Sequence, residues 1–94
     1  QLNIKSINKM WKKINKNNFD IIIDDGMHDL TASLNFFNHS FSKLKKGGFY
    51  IIEDVNISYL ITLANKLKKF NPKIIFSKKI NNIDDYLFII KKIN

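Results

Sequence analysis

The chain has 94 residues, 45% of them hydrophobic and 13% aromatic, and carries sixteen lysines against eight acids for a net charge of +8. That length fits one domain or a piece of one, with enough chain to bury about two thirds of its surface, and the apolar content excludes a disordered segment. Cysteine is absent, which excludes disulfides, thiolate chemistry and Cys-ligated metals, and the apolar runs are too short to cross a bilayer.

Ile7, Met10, Trp11 and Ile14 recur at helical spacing while Lys5, Lys9, Lys12, Lys13 and Lys16 fall on the other side, which predicts an amphipathic helix with Ser6 as its N-cap. After Asn17 and Asn18, Phe19 to Ile23 reads as a continuous apolar strand of the kind buried on both faces of a parallel sheet. A turn follows at Asp24, Asp25 and Gly26. Leu30, Leu34, Phe37, Phe41 and Leu44 then mark a second helix, with Lys43, Lys45 and Lys46 at its C-terminal end and Gly47 closing it. Phe49 to Ile52 is the next strand and ends in Glu53 and Asp54. Ile57, Leu60, Ile61, Ala64 and Leu67 mark a third helix that Pro72 ends, and two β-rich runs, 73–79 and 86–93, flank an Asn81-Asn82 turn as a closing antiparallel hairpin.

Strand, helix, strand from Phe19 to Asp54 is a right-handed βαβ crossover, so the expected class is α/β. Two crossovers advancing in one direction put both helices on one face of the sheet. The other face is then bare, and with strands this rich in isoleucine it forms an apolar patch that needs a cover.

Open parallel sheets bind ligands at the carboxyl ends of their strands. Asp24 and Asp25 end the first strand and Glu53 and Asp54 the second. Neighbouring strands lie about 4.8 Å apart, so these carboxylates are expected to converge. Like charges that close repel unless a proton or cation lies between them, and hard oxygen ligands favour magnesium, manganese or calcium. His28, three residues after Asp25, suits a general base beside such an ion. Taken singly, an acid at a strand end is an ordinary turn former or cap, His39 is a surface or packed histidine, and the lysine stripe is a solvated face.

The segment FDIIIDDGMHDLTASLNFFNHSFSKLKKGGFYIIEDV, residues 19–55, resembles the C-terminal half of class I S-adenosylmethionine-dependent methyltransferases. Within them it is most similar to the metal-dependent sugar O-methyltransferases of macrolides and the cephalosporin-hydroxylase-like group. The shared signature is a strand ending in Asp-Asp-Gly-Ser-His, a helix, Lys-Pro-Gly-Gly, and a strand ending in Ile-Glu-Asp. Met27 stands where the family has Ser, and Lys46 where it has Pro. The resemblance implies Asp25 and Asp54 as magnesium ligands, His28 as the base that deprotonates a substrate hydroxyl, and Asp24 near the cofactor.

It also implies what is missing. The superfamily holds its cofactor with a glycine-rich turn after its first strand, and the three glycines here, Gly26, Gly47 and Gly48, form no such turn. The expected fold is thus a truncated Rossmann-like methyltransferase fold: one domain over residues 1–94 with four strands, the last antiparallel, and three helices. The chain is expected to lack the cofactor half, to be cytoplasmic, and to methylate nothing alone. Such a half is expected to form a homo-oligomer through the bare sheet face or the free edge of the 19–23 strand. The alternative is a small basic module that binds polyanions through its lysines. The complete lack of arginine, whose fork clamps phosphate and reads guanine, argues against nucleic acid as that partner.

Overall fold

The computed structural model describes residues 3–25, 29–76 and 86–93. Helix α1, Ile4–Ile14, starts at Asn3, whose side-chain oxygen accepts the Ser6 N–H at 2.8 Å, so the cap is Asn3 and not Ser6. It stops at Asn15, which turns left-handed (φ 54°) while its N–H still bonds the Trp11 carbonyl, a conformation asparagine tolerates. All five lysines singled out on and just beyond this helix are exposed, as a solvated face requires.

Strand β1 is Phe19–Asp24 and helix α2 is Leu30–Ser40. The sequence predicts a second helix through Lys46, closed by Gly47, but Lys45, Lys46 and Gly47 all belong to the following strand. Instead the chain tightens into a 3₁₀ turn at Phe41–Lys43 and enters strand β2, Leu44–Val55, five residues before the predicted start. The early departure has a tertiary cause. Gly47 N–H bonds the Lys92 carbonyl and Lys92 N–H bonds that of Gly48, which holds 47–48 in the sheet. The Lys92 ammonium meanwhile donates to the Phe41 and Leu44 carbonyls freed where the helix ends.

Asn56 caps helix α3, Ile57–Lys66, by accepting the Ser58 N–H. Its buried stripe is Leu60, Leu63 and, just beyond the helix, Leu67, while Ile57 and Ile61, both expected to face the core, are exposed. Strands β3, Lys73–Phe76, and β4, Tyr86–Lys91, pair antiparallel as the expected hairpin. Its turn at Asn81 and Asn82 lies outside the described residues.

The sheet order is β1-β2-β4-β3, with β1 and β2 parallel and the other pairings antiparallel. Three helices on a four-stranded mixed sheet make an α/β architecture consistent with a truncated Rossmann-like fold. One core joins Ile7, Trp11, Phe37, Leu60 and Leu63 to Ile22, Tyr50, Ile52, Phe88 and Ile90 of the sheet, so the helices share one face. Trp11 ties α1 to α2 by donating its indole N–H to Ser40 Oγ at 2.8 Å.

Burial of β1 on both faces is not found. Ile22 and Asp24 are buried, but Ile21 and Ile23 are 53% and 51% exposed, because the opposite face of the sheet carries no layer among the described residues. Phe49 and Ile75 lie exposed on that same face, with Ile51, Leu87 and Ile89 half-buried between them.

Candidate functional site

The site rests on the β1–β2 register. Asp24 pairs with Ile52 in the parallel ladder, so the strands end side by side and point the same way. Alternation along β1 then separates its two acids: Asp24 is buried on the helix side, 3% exposed, whereas Asp25 is exposed. On β2 the pairing with β4 shifts register between Ile52 and Val55. Within that irregularity Asp54 adopts a left-handed conformation (φ 54°), and Glu53 and Asp54 are half-buried. Such a bulge re-aims a side chain at a strand tip, and left-handed Asp is among the few non-glycine residues found there.

The four acids therefore occupy neighbouring strand ends but do not converge as expected. Among the described residues no three His, Cys, Asp or Glu side chains come together as a group able to hold a metal. Asp25 and Asp54 still offer hard carboxylate donors from adjacent strands, and magnesium, which keeps much of its water, is often held by one or two carboxylates. His28 and Gly26 lie outside the described residues. His39 is half-buried and its Nδ1 lies 3.0 Å from the Asn35 carbonyl one turn back, an intrahelical contact away from the strand tips.

Sequence reasoning missed a buried polar group beneath α2. Asp24 Oδ2, Ser33 Oγ and Tyr50 Oη are all buried with no hydrogen-bond partner among the described residues. Burial first, and the charge of Asp25 second, push the Asp24 carboxyl up to about 6, while the neighbouring Ser33 hydroxyl opposes the rise without the alignment of a full hydrogen bond. The Tyr50 phenol is pushed upward too, by burial and then by Asp24. The available signal was the register: a polar Asp on the inward side of β1 and a Tyr inward on its neighbour must share one space.

A pH dependence follows. The folded acid holds its proton more tightly than an unfolded one at 3.8, so this contribution to stability is complete below that value and lost as the pH rises through about 6. Urea titrations at pH 4.5 and 7 should show stability falling by about 2 kcal/mol from this group. The Asp24→Asn variant should flatten the difference; an unchanged slope would place the titration elsewhere.

No family model matches the chain. It is 49% identical over 41 residues to L-olivosyl-oleandolide 3-O-methyltransferase of Streptomyces antibioticus, a match spanning 44% of this chain and 11% of that protein. Over 40 residues it is 42% identical to 8-demethyl-8-alpha-L-rhamnosyl tetracenomycin-C 2'-O-methyltransferase of Streptomyces olivaceus, spanning 43% and 11% of the two chains. A third relative, the 8-demethyl-8-(2-methoxy-alpha-L-rhamnosyl)-tetracenomycin-C 3'-O-methyltransferase of the same organism, is 44% identical over 41 residues, 44% of this chain and 10% of its own. Part of this chain is thus related to O-methyltransferases, and each match spans about a tenth of the relative's length. Among the described residues no helix is long and apolar enough to cross a membrane.

Proposed function

We propose that the chain is the metal-and-base half of an O-methyltransferase of the class I S-adenosylmethionine-dependent superfamily, a single domain without the cofactor half and inactive on its own. In this reading Asp25 and Asp54 hold a divalent cation such as magnesium, His28 takes the proton from a substrate hydroxyl, and Asp24 stands near the cofactor. The observation that carries it is the side-by-side ending of β1 and β2, with Asp54 turned left-handed in the bulge. The partial similarity to three sugar O-methyltransferases supports the reaction class. A divalent ion there would make a bound hydroxyl more acidic. The chain's own residues would orient the hydroxyl and, at His28, accept its proton; the oxygen would then bond to the sulfonium methyl in line as the methyl–sulfur bond breaks and the thioether leaves.

Isothermal calorimetry tests this directly. Manganese or magnesium should bind at one equivalent, weakly, and Asp25→Asn or Asp54→Asn should abolish the heat. Asparagine tolerates the left-handed conformation at 54, so that variant removes charge without disturbing the backbone. S-adenosylmethionine should give no heat. Tight binding of that cofactor would overturn the missing-half reading, and absence of metal binding would overturn the ligand assignment.

A further inference from the structure

We propose that the bare face of the sheet is the interface of a homodimer in which two copies pack face to face with their strands crossing near a right angle. The apolar part of this face is a block formed by Ile21, Ile23 and Phe49 with Ile51, Ile89 and Ile75 across the four strands. Four strands about 4.8 Å apart and about five residues long give a flat area on the order of 300 Å² per copy, the size of the largest apolar patch on an ordinary monomer, which is often a functional surface.

Charge selects the occupant. Continuing the alternation of β1, exposed Asp25 falls on the bare-face side beyond Ile23, at the corner where β1 and β2 end. The lysines of this face lie diagonally opposite. Lys91 faces Phe49 from β4, with its ammonium 5.9 Å from that ring's centre, and Lys73 faces Ile89 from the edge strand β3. Both lysines are exposed and line a hollow of about 360 Å³ floored by Phe49, Ile89 and Ile93.

A face that is acidic at one corner and basic at the diagonal one complements itself. A two-fold axis lying in the interface along the other diagonal places the Asp25 corner of each copy on the Lys73–Lys91 corner of its partner. The same operation turns the strands roughly perpendicular, one of the two ways sheets pack. A two-fold axis parallel to the strands would leave acids on the acidic end of the partner. The net charge of +8 opposes approach at low salt, but at 0.15 M the Debye length of about 8 Å screens the distant lysines and spares the contacting corners.

The test is sedimentation of the full 94-residue chain in 0.15 M salt with a chelator present, so that its outcome is independent of any metal site. A concentration-dependent dimer is expected across the micromolar range, as suits a small interface. Ile23→Lys and Ile75→Lys should each leave a folded monomer with unchanged circular dichroism, since both positions are exposed. Asp25→Lys should weaken the dimer roughly tenfold by setting like charges together at two symmetric corners, and Lys91→Glu added to it should restore affinity. A monomer at 500 µM overturns the proposal. So does a dimer indifferent to Ile75→Lys, which would mean pairing at the β1 edge, and so does failure of the double reversal to restore affinity.

Discussion

Phe37→Ala should come close to unfolding the protein. Phe37 is 1% exposed and its ring stacks on Phe41 at 4.8 Å and meets the edges of Tyr50 and Phe70 at 4.9 and 5.1 Å, so one side chain joins α2, β2 and the segment leading to β3. Truncating it removes those contacts and leaves a cavity that three rigid rings cannot collapse into, at about 3–5 kcal/mol. Domains of this size hold only about 5–15 kcal/mol in total. Thermal unfolding should drop by more than about 12 °C, while Phe37→Leu, which keeps most of the volume, should cost about 1 kcal/mol. A shift of only a few degrees for the alanine variant would mean that the aromatic cluster is loosely packed.

Gly48→Ala should be the most damaging small change, and it acts on the adjacency that the functional reading needs. A β-carbon at Gly48 would lie 2.7 Å from the Asp20 carbonyl oxygen of β1 and 2.8 Å from a Leu44 methyl. The carbonyl is backbone, so relief requires β1 and β2 to part, a cost of about 1–3 kcal/mol. Gly47→Ala provides the comparison. Gly47 has open space around it but a φ of 87°, so its penalty is conformational, about 1–2 kcal/mol, and local. Hydrogen exchange should separate them: Gly48→Ala should raise exchange of the Ile21–Ile23 amides, and Gly47→Ala should not. Equal exchange in both variants would contradict the close approach of the two strands.

The parts of the fold that could be read from the chain are those written in local chemistry. The crossover from β1 through α2 to β2, the antiparallel closing hairpin and the sharing of one face by the helices all follow from apolar spacing and the handedness of connections. Errors arose where distant residues decide. Phe41 and Leu44 continue the period of α2, and Phe41 does pack against Phe37 and Phe70, yet the backbone there has already left the helix to meet Lys92. Hydrophobic period reports which side chains are packed, not which hydrogen bonds are made. Three isoleucines in a row at 21–23 likewise cannot say that only the middle one is covered.

The candidate site divides in the same way. That Asp25 and Asp54 sit at adjacent strand ends was legible, because the two strands of a short βαβ crossover run the same way and commonly lie side by side. That Asp24 turns inward, away from Asp25, is the alternation of any strand, but an aspartate counted as a turn former hides it. The left-handed turn at Asp54 left no trace, since it arises from the register shift against β4, and β4 lies more than thirty residues further on.

The strand order places the last element of the chain between two earlier ones, and this governs how the protein can be made. Until Tyr86–Lys91 has left the ribosome, β3 has no neighbour to join, and the β2 side that β4 will cover presents unpaired amides and carbonyls. Before β4 emerges the nascent chain can complete only its first crossover; the rest of the sheet closes afterwards, as a late, non-local step. A truncation just before Tyr86 would therefore remove two strands from the sheet together, and the product should be found in aggregates rather than as a slightly shorter folded protein.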